Sequence, residues 1–548
     1  MILFDNGSRT SGIVLKVAAA AFAATASFAA SPAYADSCSN LASSFHRANT
    51  TVTVAQTVSG GTFVTPTVPP QTITGLPQFC RVAGFTTPTS DSHIQFEVWL
   101  PEAGWNLKYL QAGCGGFCGS ISYGAMAEPL RRGYVVAATD DGHEASGIDA
   151  SWAVGHPEKV IDFGYRSLKE TTDVAKDLIF AFEKMGPQNS YFMGCSDGGR
   201  EALMEAQRFP RDFDGIVAGS PANFWTHLFA GFVWDQQALA GVTGGDLSQA
   251  DLNTLTNSVL AQCAGHDGGL STDQFLNNPL ACRFDPSTLS LSQDKIGAIK
   301  KIFSGPPGIF PGYKGGAGEA STFLDWPLWM TDTGNPASAL QGLFVDNFFQ
   351  NMVFPGSGWT PSTFSAAENA TQADIRVGAI LNSTDPDLRA FKSHGGKLIQ
   401  YVGWSDTAIS PQNDIDYYSA VTDVMGGPGE TRGFYRLFMA PGMAHCGGGP
   451  GPNAFGNGVN GPSPSDPRDD LLSALDNWVV NWTAPEEIVA TKYVNDNPAN
   501  GVAFQRPLCA FPKVSKFKGG STTAASSFIC VRQDQDQDQE KGKLSENQ

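Results

Sequence analysis

The chain has 548 residues, 41% hydrophobic and 16% charged, with 61 Gly and 34 Pro, a composition that excludes extended low-hydrophobicity disorder over most of its length. Thirty-five Lys plus Arg against 53 Asp plus Glu give a formal net charge of −18; with no concentrated basic tract to offset it, this balance excludes a nucleic-acid partner. The length suits roughly two to four domains, or one large α/β core carrying an insertion.

Arg9 and Lys16 introduce an Ala-rich apolar run from Val17 to Ala30, followed by Ala33-Tyr34-Ala35. This is the pattern of a signal peptide over residues 1–35, cleaved near Ala35. The run is about 14 residues, short of the ~20 that span hydrocarbon, so the mature protein is expected to be secreted or periplasmic, with no membrane partner. Export favours disulfides for the ten cysteines over zinc, since no C-x2-C pair has a matching downstream pair. Cys114/Cys118, Cys263/Cys282 and Cys509/Cys530 are natural local closures; the remaining connectivity stays open.

The stretch from Ile94 to Leu100 alternates as a half-buried strand does, and Leu107 to Leu110 and Tyr134 to Ala138 read as short apolar strands. Helical spacing from Ser167 to Met185 stops at Gly186-Pro187. A strand from Tyr191 to Met193, a helix from Arg200 to Arg208 and a strand from Gly215 to Ala218 follow. Alternating strands and helices predict an α/β fold with a mostly parallel sheet. Between about 221 and 390 the alternation fails amid frequent Gly, Pro and aromatics. It resumes with a strand from Lys397 to Val402, a helix from Asp414 to Val424, a strand from Phe434 to Met439 and a helix from Asp469 to Trp482. The predicted organisation is a core over 36–221 and 393–531, an inserted domain over 222–392, and a disordered Asp-Gln-rich tail over 532–548.

The sharpest local signal is Gly194-Cys195-Ser196-Asp197-Gly198, a Gly-x-Ser-x-Gly between a predicted strand and a predicted helix. Such an elbow exposes Ser196 as a nucleophile and excludes neighbouring side chains; the bland alternative is a Gly-rich turn with an N-capping serine. A serine hydroxyl needs a base oriented by a carboxylate. His445 lies on a Gly-rich loop just after a predicted strand, late in the chain as α/β-hydrolase order requires, with His143 its competitor. Asp406 directly follows the strand from Lys397 to Val402, whereas Asp414 and Asp416 suit the start of a helix. The developing oxyanion would meet the backbone N–H of Asp197 and one from the loop Gly113 to Gly119, with Gly116 preferred to Gly115. Cys195 precedes Ser196 and Cys446 follows His445. Bonding these two would bring serine and histidine backbones into one small volume, although each cysteine could instead pair elsewhere.

These residues, with Gly403-Trp404-Ser405-Asp406, His445-Cys446 and Val160-Ile161-Asp162-Phe163-Gly164-Tyr165-Arg166, resemble the tannase and feruloyl esterase family of α/β-hydrolases, which includes mono(hydroxyethyl) terephthalate hydrolases. The resemblance covers nearly the whole mature chain. It implies an α/β-hydrolase core with an inserted lid domain, a Ser196, Asp406, His445 triad, a Cys195–Cys446 bond and, by elimination, a Cys38–Cys80 bond. It further implies a structural calcium in the lid. Here Ala264 replaces one carboxylate of the family's run, leaving Asp267 and Asp273 with nearby carbonyls as candidate ligands. The triad itself requires no cofactor.

The expected function is therefore secreted hydrolysis of esters of aromatic acids such as feruloyl or galloyl esters, with plant polysaccharide or tannin as candidate carriers. A few of the aromatics between Phe303 and Trp359 are expected to wall the acyl group. The same triad would also serve a serine peptidase, and a hydrolase scaffold can act as a non-catalytic binding protein.

Overall fold

The computed structural model describes residues 33–244, 246–315, 319, 325–331 and 336–532. Nearly all of the predicted signal peptide and of the Asp-Gln-rich tail lies outside them. A helix, Ala33–Ser44, begins at the predicted cleavage motif.

One nine-stranded sheet organises the molecule. Its strands are β1 (Thr50–Val58), β2 (Phe79–Thr86), β3 (Ile94–Pro101), β4 (Lys108–Ala112), β5 (Val135–Thr139), β6 (Asn189–Cys195), β7 (Gly215–Gly219), β8 (Lys397–Gly403) and β9 (Tyr435–Ala440). They lie in the order β1-β2-β3-β5-β4-β6-β7-β8-β9. From β5 to β9 every pairing is parallel, whereas β1, β2 and β3 join antiparallel. Strands β5, β7, β8 and β9 are buried at every residue, as parallel strands covered on both faces must be. That explains their continuous apolar runs, where β1 shows instead the Thr/Val alternation of an edge. Strands β1 and β2 were not among the predicted elements.

The helices that cover the sheet are α1 (Tyr123–Arg131), α2 (Ser167–Glu183), α3 (Asp197–Arg208), α8 (Pro411–Val424) and α9 (Leu471–Asn481), with α4 to α7 lying between β7 and β8. Lys184 closes α2 in the left-handed conformation, φ 62°. Helix α3 starts three residues before the predicted Arg200 because the turn at Ser196 feeds straight into it. Pro411 sets the first turn of α8, and the Asp470 side chain caps α9 by accepting from the Ser473 amide.

Neighbouring strands β7 and β8 are joined by a long helical excursion. It contains α4 (Trp225–Ala240), α5 (Gln249–Cys263), α6 (Gln293–Ser304) and α7 (Leu340–Phe348), and no strand among its described residues. Leu255, Val259, Ile299, Ile302 and Trp326 form a core of its own. A second cluster, with Trp225, Phe229, Phe344 and Phe348, runs on into Phe117, Phe163 and Ala408 of the sheet domain. Two C-terminal hairpins, Glu487–Tyr493 with Val502–Cys509 and Lys513–Phe517 with Phe528–Arg532, complete the fold.

Five disulfides join Cys38–Cys80, Cys114–Cys118, Cys195–Cys446, Cys263–Cys282 and Cys509–Cys530. No described helix is long and apolar enough to cross a membrane.

Candidate active site

Strand β6 ends at Cys195 and α3 begins at Asp197, so Ser196 alone makes the turn, with φ 66° and ψ −120°. A non-glycine residue held there costs about 1–3 kcal/mol, which surrounding contacts must offset. The Ser196 amide donates to the Gly219 carbonyl at 2.9 Å and its carbonyl accepts from Ala222 at 3.0 Å. A Cβ at Gly194 would stand 2.4 Å from the Gly198 carbonyl oxygen, and one at Gly198 would stand 2.7 Å from that of Cys114. The two glycines of the motif are therefore fixed by close backbone approach.

His445 sits on the loop after β9, and its Nδ1 lies 2.9 and 3.1 Å from the two oxygens of Asp406. The Asp406 side chain is fully buried, and its Oδ1 accepts the amides of Ala408 at 2.9 Å and Ile409 at 2.8 Å. A carboxylate so held fixes the imidazole tautomer with hydrogen on Nδ1, leaving Nε2 to take a proton. The Cys195–Cys446 bond, Cα atoms 6.0 Å apart, ties the residue before Ser196 to the residue after His445. Asn457 donates to the Cys446 carbonyl at 2.9 Å, and the Trp329 ring stands edge-on to the His445 ring at 5.1 Å.

The competing groups go elsewhere. His143 is buried against Trp152, with ring centroids 3.7 Å apart, and its Nε2 lies 2.7 Å from the Phe117 carbonyl oxygen. Burial lowers it to about 4, so it is a neutral donor that steadies the Gly-rich loop. Asp414 accepts from Gln400 at 2.7 Å, and burial pushes its carboxyl well above the usual range.

Gly116, Ser196 and Asp197 border one small cavity. The Asp197 amide is the first of α3, among the N–H groups that a helix leaves without an intrahelical partner. Gly116 has φ 65°, and a Cβ there would fall 2.2 Å from the Gly147 carbonyl oxygen; Gly115 has no such neighbour. The Gly-rich loop is bonded to the nucleophile helix. Gly198 donates to the Cys114 carbonyl at 2.9 Å, and the Cys114 amide donates to Glu201 Oε2 at 3.2 Å. Beneath it, Asp141, Asp197 and Glu201 are buried around the Cys114–Cys118 bond. Arg200, itself buried, pairs with Asp197 and donates to the carbonyls of Gly164 at 2.8 Å and Phe163 at 3.0 Å. One guanidinium cannot neutralise three carboxylates, and burial raises Glu201 well above the carboxyl range and Asp141 to about 7.

The rest of that cavity is apolar, with Trp225, Leu228, Phe229 and Phe232 from α4, Phe344 from α7, and Trp329. Of the aromatics between Phe303 and Trp359, Trp329 and Phe344 reach it; most of the others pack within the helical excursion. Residues 225, 229 and 232 share one helical face, a spacing that the sequence carries. A larger cavity of about 340 Å³ lies beyond Cys195, between α1 and residues 456–472, and is lined by neither Ser196 nor His445.

The candidate calcium ligands are otherwise engaged. Asp267 accepts the amides of Gly269 at 3.1 Å, Asn277 at 2.5 Å and Asn278 at 3.3 Å. Asp273 accepts Leu270 N at 3.1 Å and the buried Arg506 guanidinium at 2.9 Å. Calcium needs six to eight free oxygens. A donor set already filled by N–H groups and a cation does not fit it.

Residues 80–531 match the family model described as tannase and feruloyl esterase. The chain belongs to the tannase and feruloyl esterase family. It is 39% identical over 521 residues to an uncharacterized esterase of Xanthomonas campestris pv. campestris, covering 88% of this chain and 89% of the relative. It is 31% identical over 533 residues to a protein of Aspergillus terreus named probable feruloyl esterase B-2, covering 92% and 97%. The crystal structure of feruloyl esterase B from Aspergillus oryzae superposes with a TM-score of 0.82 at 27% identity, over 91% of this chain and all of that one. Tannin acyl hydrolase from Aspergillus niger shares the fold, with a TM-score of 0.69 at 20% identity over 91% and 95%. The chain is a carboxylic ester hydrolase of this family's type, built on an α/β-hydrolase core.

Proposed function

We propose that this enzyme is a secreted serine esterase that hydrolyses esters of aromatic carboxylic acids through an acyl-enzyme. Ser196 attacks the ester carbonyl while His445 Nε2 takes its proton, and Asp406 stabilises the imidazolium. The amides of Asp197 and Gly116 receive the oxyanion. His445 then protonates the leaving alcohol, and water, activated by the same imidazole, releases the acid. The helical excursion 222–392 serves as the lid, and its aromatics with α4 wall the acyl group.

The observation that carries this reading is the strained Ser196 turn, stapled by Cys195–Cys446 to a histidine whose Nδ1 is held by a buried carboxylate. An apolar cavity beside that turn supports a planar aromatic acid, as does kinship with feruloyl esterases. Five disulfides support an extracellular setting. The test is a panel of methyl ferulate, methyl gallate, a terephthalate monoester and, as an ester of an aliphatic acid, methyl butyrate, with wild type and Ser196→Ala. At least one ester is turned over by the wild type alone; equal turnover by the variant refutes the mechanism, and aliphatic preference refutes the substrate class.

A further inference from the structure

The helical excursion reaches the catalytic carboxylate through buried polar contacts. Asp406 is held by the amides of Ala408 and Ile409, so its position follows the backbone of 407–409. That backbone is itself gripped from the other side. The Tyr313 hydroxyl donates to the Ala408 carbonyl at 3.0 Å, and Gln341 Nε2 donates to the Thr407 carbonyl at 3.1 Å and to the Tyr313 oxygen at 3.4 Å. Ser410 Oγ donates to the Gly312 carbonyl at 2.9 Å. Gln341 on α7 is completely buried, as is Ser410, and Tyr313 is 6% exposed. Asp235 of α4 is buried as well.

A lid whose only task is to cover substrate needs apolar contacts, not a buried amide and phenol aimed at the acid loop. Losing one partner of a buried hydrogen bond strands the other away from water, which makes the geometry such bonds enforce specific. We propose that Gln341 and Tyr313 are positioning residues for ester hydrolysis, holding the 407–409 backbone so that Asp406 meets His445 Nδ1. This rests on the triad reading above. On it, the lid is a fixed brace of the triad as well as a wall of the acyl cavity.

Gln341→Leu and Tyr313→Phe in the full chain, assayed with p-nitrophenyl butyrate, should each lower kcat about tenfold with KM within about twofold, since small displacements of catalytic groups act on the transition state. Weaker support of the imidazolium also moves the acid limb of kcat/KM to lower pH, by about half a unit. Leu178→Ala on α2, in a core cluster of the sheet that contains neither Tyr313 nor Gln341, lowers the melting temperature but leaves kcat and the pH profile in place. Should Gln341→Leu not fold, Tyr313→Phe tests the same loop with its packing kept. Unchanged kcat in Tyr313→Phe, or kcat losses that merely track melting temperature across all three variants, overturns the proposal. Ser196→Ala in the same assay separates the two readings: if it is inactive while the brace variants behave as wild type, the triad stands and the brace alone fails.

Discussion

The two sides of the Ser196 turn are built from opposite materials. On the side of the Gly-rich loop, three buried acids, a buried guanidinium, a neutral histidine and a disulfide hold that loop against α3. On the side of α4 and α7 there are aromatic and aliphatic faces. Polar bonds have fixed lengths and directions, whereas apolar contact is non-directional. On the proposed mechanism, the reacting atoms are placed by the first kind of contact, and the acid is selected by the second. Changes on one side should damage rate, and changes on the other, binding.

The sharpest way to break this contrast is at the triad. Ser196→Ala should lower kcat by about 10⁶ and Asp406→Asn by about 10⁴, with the melting temperature of each held; a shift confined to KM would deny the polar side its role. Next, Phe344→Ala should raise KM for methyl ferulate about tenfold while sparing a small acetate ester, because roughly 1–3 kcal/mol of apolar contact is lost. A fall in kcat for both esters would show that the wall also places reacting atoms.

A third test reads the buried acids through stability. Asp141 is raised to about 7 by burial, so the folded chain keeps a proton that the unfolded chain releases near pH 4. Its contribution is fully present below pH 4 and is lost as pH rises to about 7, with a slope of at most about 1.4 kcal/mol per pH unit. Asp141→Asn should flatten the decline of melting temperature across that window; an unchanged slope would place the proton elsewhere. The smallest effect is expected at Asp267 and Asp273. Chelator should leave the melting temperature unchanged, whereas Arg506→Met, which strands Asp273, should lower stability by about 3 kcal/mol. A chelator-induced drop would contradict the fit of that loop.

The directional side is also the side the sequence discloses. A Gly-x-Ser-x-Gly, a histidine with a flanking cysteine and an aspartate after a strand are local strings, because covalent and hydrogen-bonded geometry demands particular residue types at particular spacings. The buried strands β5, β7, β8 and β9 were legible as nearly continuous apolar runs. What stayed hidden depends on tertiary assembly. Nothing local marks Glu201 as the partner of the Cys114 amide, Trp329 as the neighbour of His445, or Gln341 as a grip on the Thr407 carbonyl. Each meets its partner across 66 or more residues of sequence; Gln341 and Thr407 are the nearest pair, at 66. The acyl wall lay half in view, since Trp225, Phe229 and Phe232 repeat at helical spacing, yet which of many aromatics faces the cavity is decided by how α4 and α7 pack.

The bond between Cys195 and Cys446 spans 251 residues and can form only after β6 and β9 have taken their places in the sheet. A freshly synthesised chain in a reducing compartment lacks it, and nothing covalent then keeps hydroxyl and imidazole in register. On the proposed mechanism, ester cleavage therefore depends on this oxidation, and dithiothreitol that opens the bond should lower kcat more than it lowers the melting temperature.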